Sequence, residues 1–79
     1  MKVLYVATSG AADPTRASIP LHIAANGSVE ADQDCAVALV GDATELALHD
    51  VAADVAGVGV PPARELLTKL VENQVPVYV

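Results

Sequence analysis

The chain has 79 residues, 53% hydrophobic, 18% charged and 3% aromatic, with a formal net charge of −6. This is enough for one globular domain and no more, and a domain of this size buries only about 60% of its unfolded surface. Ten acids stand against four scattered bases, Lys2, Arg16, Arg64 and Lys69, so neither a nucleic-acid backbone nor an anionic membrane is an expected partner.

The run Val3-Leu4-Tyr5-Val6-Ala7, closed by Thr8-Ser9-Gly10, predicts a buried strand followed by a turn. Asp13-Pro14 reads as the cap and first residue of a helix, because Asp can accept free backbone N–H groups and Pro has none to satisfy. Ala17, Leu21, Ala25 and Val29 keep helical spacing, so the helix is expected to run to about residue 31. Ile19 and Ile23 would widen its apolar stripe. Pro20 should kink or split it, and Gly27 stands either at its end or as a costly interior residue.

Cys35-Ala36-Val37-Ala38-Leu39-Val40 is apolar on both faces and predicts a central strand. Asp42 and Glu45 have capping-box spacing and would open a short helix from Ala43 to about His49. Val55-Ala56-Gly57-Val58 reads as a short strand at most, since glycine weakens a strand interior. Pro61-Pro62 starts the next helix, with Ala63, Leu66, Leu67, Leu70 and Val71 as its inner stripe. Glu65 and Lys69 stand outside it at ion-pair spacing. Asn73-Gln74 ends that helix, and Val75-Pro76-Val77-Tyr78-Val79 reads as a buried parallel strand, its proline in a tolerated first position.

Helices between apolar strands imply right-handed crossovers and a parallel three-layer α/β/α sheet, flavodoxin-like in appearance, with three or four strands. Residues 1–79 form a single domain. Three or four strands are few for such a sheet, so an incomplete domain is expected, about two-thirds of the usual size.

Ligands of parallel sheets bind beyond the carboxyl ends of the strands. Thr8, Ser9 and Gly10 stand there after the first strand, with hydroxyls and free N–H groups ahead of a helix. Gly41 and Asp42 hold the equivalent place after the second strand. These five residues are the candidate ligand pocket, although Thr8-Ser9-Gly10 also suits a plain polar turn and Asp42 a helix cap. A phosphate-binding P-loop and a dinucleotide GxGxxG are both missing after the first strand.

No catalytic residue can be assigned. Cys35 lies inside an apolar strand, where a thiol is normally inert packing. His22 and His49 lack partners at metal-ligand spacing, so neither a metal nor another cofactor is expected. His22 could face solvent, and His49 could serve the carboxyl end of its short helix. One cysteine allows no intrachain disulfide. No run is long enough to span a bilayer, and the first apolar run is too short for a signal peptide, so a cytoplasmic protein is expected.

Several segments together resemble the DsrE/DsrF-like family. They are Met1-Lys2-Val3-Leu4-Tyr5-Val6-Ala7-Thr8-Ser9-Gly10, Asp13-Pro14-Thr15-Arg16-Ala17 and Ile19-Pro20-Leu21-His22-Ile23-Ala24. Gly41-Asp42-Ala43, the run Gly57-Val58-Gly59-Val60-Pro61-Pro62 leading into Glu65-Leu66-Leu67, and Val75–Val79 complete the set. The resemblance implies a compact parallel α/β/α domain, commonly oligomeric, related to cytoplasmic sulfur-relay systems. Relay members carry sulfur as a persulfide on a cysteine just after the strand matching Val75–Val79. Its match is the residue following Val79, so residues 1–79 are expected to supply scaffold and pocket wall, to be inactive alone, and to act at most within a sulfur carrier or sulfurtransferase-like protein. Cys35 does not inherit that role. The expected partners are further copies of the chain and sulfur-relay proteins. The other reading left open is a non-catalytic module that binds a small ligand or assembles with itself.

Overall fold

The computed structural model of the protein describes residues 2–79, the side chain of His49 excepted. Three strands form one all-parallel sheet in the order β1 (Val3–Ala7), β2 (Cys35–Leu39), β3 (Val77–Tyr78). Val3 stands opposite Cys35 and Ala7 opposite Leu39, while Val37 stands opposite Val77. The parallel sheet with interleaved helices is the α/β architecture that the strand and helix order predicts.

β2 is central and almost wholly buried, as its two-faced apolarity requires. β1 is only half-buried: Val3, Tyr5 and Ala7 face the core, and Leu4 and Val6 are 57% and 50% exposed. β3 is shorter than expected, with two paired residues, and Tyr78 and Val79 are exposed rather than buried. Its ladder opens at Pro76, whose carbonyl accepts the Val37 N–H at 2.9 Å, so the missing proline N–H is never needed.

Helix α1 (Pro14–Ile23) starts where the sequence places it, with Asp13 Oδ1 accepting the Arg16 N–H at 3.1 Å. Pro20 does not split it. The helix instead widens into a π turn over Ala24–Ser28, in which the Val29 N–H reaches the Ala24 carbonyl. The buried stripe is Ala17, Ser18, Leu21, Ala24, Ala25 and Ser28, and Ile19 and Ile23 point outward, each 45% exposed. Ser18 can be buried because its hydroxyl donates back to the Pro14 carbonyl at 2.8 Å.

After β2 the chain makes a 3-10 helix over Gly41–Ala47, then α2 (His49–Asp54), in place of one short helix from Ala43 to His49. The Thr44 hydroxyl donates to the Gly41 carbonyl at 2.8 Å, within the tight turn. Asp42 makes no capping bond: the cap position is Val40, in extended conformation. The expectation for the His49 side chain lies outside the described residues.

No strand forms at residues 55–58. The Val55 carbonyl accepts the Ala63 N–H at 2.8 Å and the Val58 N–H donates to Thr15 Oγ1, 43 residues away, at 3.0 Å, so these backbone groups are bonded outside any ladder. Helix α3 (Ala63–Glu72) buries Ala63, Leu66 and Leu70, half-buries Leu67, and leaves Val71 exposed. Asn73 closes it, its side-chain amide donating to the Lys69 carbonyl at 2.8 Å. Lys69 pairs with Glu30 across the fold, not with Glu65 on its own helix.

Helices α1 and α3 pack against each other. Two right-handed crossovers that step the same way across a sheet place their helices on the same face. The core therefore lies on one side, built from Val37, Leu39, Leu21, Leu46, Leu66 and Leu70 with small alanines between them. The other side presents Leu4, Val6 and Tyr78 outward.

Candidate functional site at the strand carboxyl ends

Parallel pairing brings the ends of β1 and β2 side by side, with the Val40 N–H donating to the Ala7 carbonyl at 3.0 Å. The two loops that follow are therefore neighbours. Gly41 turns the chain with φ +56°, a conformation that favours glycine, and a Cβ there would stand 3.9 Å from the Thr8 carbonyl oxygen. Gly10 lies against the other loop even more closely: a Cβ would come within 2.4 Å of the Asp42 carbonyl oxygen. Thr8, Gly41 and Asp42 are exposed, Ser9 is half-buried and Gly10 is buried.

A residue outside the expected pocket joins the two loops. Glu45, from the 3-10 helix, accepts the backbone N–H of Ala11 in the loop after β1. A Cβ on Gly10 would lie 2.2 Å from the same Glu45 oxygen. A backbone N–H ahead of a helix is where an external anion can be held, and here the protein's own carboxylate takes that bond. Sequence spacing pointed Glu45 to its own helix as a capping-box partner, and nothing local signals a contact made 34 residues away.

Cys35 lies at the opposite end of the sheet. It opens β2 beside Val3, is 3% exposed, and stands four strand steps from Leu39, roughly 13 Å by the usual rise. It cannot reach the loops after the strands. His22 is joined to Asn26, whose side-chain oxygen accepts from Lys69 of α3, and not to either loop.

An apolar groove of about 510 Å³ opens beside β3, on the helix-covered side. Leu39, Leu46, Leu67, Val71, Val77 and Val79 form its walls, and Arg64 and Glu72 supply its charge. None of the five expected pocket residues lines it. Two distinct features thus occupy the carboxyl edge of the sheet: a polar pair of loops locked by Glu45, and an apolar groove ending at Val79. Among the described residues no cluster of His, Cys, Asp or Glu is placed to hold a metal ion, and no helix is long and apolar enough to cross a membrane.

Comparison with curated proteins and with solved structures finds no match. The model of the DsrE/DsrF-like family matches residues 1–79, the same span over which the motifs run. With the parallel sheet and the order of its elements in agreement, the chain belongs to the DsrE/DsrF-like family.

Proposed function

We propose that this protein serves in intracellular sulfur transfer, as a carrier-type α/β domain of a cytoplasmic sulfur relay. The observation that carries the reading is the family match over residues 1–79. The geometry supports it in one respect: the paired loops and the apolar groove both lie at the carboxyl edge, where a thiol following β3 would stand. Persulfide chemistry needs an accessible thiolate in a favourable field. Cys35, buried at the far edge, is not accessible. In this reading Thr8, Ser9, Gly10, Gly41 and Asp42 wall the pocket, the reactive cysteine follows Val79, and the protein works with further copies of itself and with relay partners.

Peptide mapping of the natural gene product after treatment with a polysulfide tests this directly. The mass of one added sulfur atom on a cysteine just beyond Val79 is the expected result. Sulfur on Cys35, or on no thiol, overturns it.

The exposed Leu4, Val6 and Tyr78 favour a second reading, a non-catalytic self-assembling module. It predicts association in light scattering with no sulfur on any thiol.

A further inference from the structure

A polar chain crosses from the end of the first helix to α3. Lys69 Nζ donates to Asn26 Oδ1 at 2.7 Å, and Asn26 Nδ2 lies 3.0 Å from His22 Nδ1. Lys69 Nζ also donates to the Glu30 carboxylate. Chemistry fixes the direction of every bond. An ammonium has only donors, so the Asn26 oxygen must face Lys69. The Asn26 NH₂ then faces His22, and His22 Nδ1 must be the acceptor, which places the ring hydrogen on Nε2.

Adding a proton to the ring turns Nδ1 into a donor pointing at an NH₂ group. Asn26 can keep a bond to the charged ring only by turning its oxygen toward His22, which points its NH₂ at the Lys69 ammonium. A bond from the protonated ring to Asn26 and the Lys69–Asn26 bond therefore exclude each other. Among the described residues, the charged groups joined to this chain are Lys69 from α3 and Glu30 from the turn after the π turn. Both act on His22 only through Asn26.

We propose that His22, Asn26 and Lys69 form a proton-operated latch, tying the π turn to α3 when the imidazole is neutral and releasing Asn26 from Lys69 when it is charged. Lys69 keeps Glu30 in both states, so the device changes one tie and leaves the fold standing. His22 is half-buried and Asn26 exposed, so bulk solvent reaches the ring.

NMR of the unmodified protein, followed across the protonation of the His22 ring, tests the latch. At the higher pH the His22 Nδ1 shift should be that of an unprotonated acceptor. On acidification the Asn26 side-chain amide and the Lys69 ε-methylene resonances should move with the midpoint of the His22 ring. The movement of Lys69 should be lost in His22→Gln, whose amide does not titrate, and in Asn26→Asp, whose carboxylate can accept from both neighbours at once. An Nδ1–H tautomer at the higher pH overturns the proposal. So do Lys69 and Asn26 resonances that ignore the ring, or a Lys69 movement that persists unchanged in His22→Gln.

Discussion

Glu45 closes the loop after β1 by accepting the backbone N–H of Ala11, and its carboxylate occupies the space that a side chain on Gly10 would need. The two loops at the carboxyl edge are therefore one packed unit. Replacing Glu45 with Ala removes a charged acceptor from an exposed main-chain donor that water can still satisfy, and should cost about 0.5–1.5 kcal/mol. Glu45→Gln, which keeps an acceptor oxygen, should recover most of that loss. Urea unfolding midpoints of the two variants decide it, and equal losses would show that the bond contributes nothing.

Gly10→Ala should destabilise by about 1–3 kcal/mol through overpacking. The new methyl meets the Asp42 carbonyl, which is backbone and cannot rotate away, as well as the more yielding Glu45. Gly27→Ala offers the contrast. Its methyl would meet only Ile23 Cγ2 at 3.8 Å, and it replaces a poor helix former, so stability should rise by up to about 1 kcal/mol. Circular dichroism melts of both variants should move in opposite directions.

Leu66→Ala should cost about 2–5 kcal/mol, a large share of the stability of so small a domain. Leu66 is 1% exposed and belongs to the core cluster. Leu4→Ala, on the open face at 57% exposure, should cost about 1 kcal/mol or less in the isolated chain. Similar losses at the two positions under dilute conditions would mean that the open face is covered in solution.

Ser28 is 2% exposed and donates to Gln33 Oε1 at 2.7 Å, so the Tyr5 hydroxyl, also at 2.7 Å, must be its donor. Ser28→Ala strips both neighbours of their partner and should cost about 1–3 kcal/mol. Tyr5→Phe removes one donor and leaves Ser28 its bond to Gln33, so its loss should be smaller, about 1 kcal/mol. The order of the two unfolding free energies is the check.

The Glu30 carboxyl is held below its ordinary value of 4.5 by the hydrogen bond from Lys69 and by that residue's charge. A carboxyl lowered on folding stabilises the fold above its unfolded value and loses that contribution as pH falls through the folded one. The wild type should therefore exceed Glu30→Gln by a constant margin above about pH 4.5, with the margin disappearing on further acidification. Paired melts across that range test the sign, and a margin that grows on acidification contradicts it.

The fold is legible in the sequence where one local pattern has one physical outcome. β1 and β2 follow from continuous apolar runs, the start of α1 from Asp13 and Pro14, and the end of α3 from Asn73. It is not legible where a residue has both a near and a far partner. Glu45 could serve Asp42 or the loop after β1, and Lys69 could serve Glu65 or Glu30. In each pair tertiary packing selects the distant one. The exposure of Ile19 and Ile23 is not legible for another reason: apolar character says that a side chain can be buried, not that a sheet lies beneath it. Of the candidate site, the adjacency of the loops carrying Thr8, Gly10, Gly41 and Asp42 was legible from the parallel order. The Glu45 bond and the apolar groove depend on how α2, α3 and the 3-10 helix settle, which no spacing records.

The one-sided placement of α1 and α3 has a topological consequence. A ligand crevice in an open parallel sheet forms where the direction of winding reverses, because only there do neighbouring loops part toward opposite faces. The steps β1 to β2 and β2 to β3 run in the same direction, so no reversal lies among these three strands. A strand seated on the outer edge of β1 by a connection over the Leu4–Val6 face would create the reversal beside Thr8, Ser9 and Gly10. One seated beyond β3 by a connection over the helix-covered face would only continue the present winding and leave those loops closed against each other.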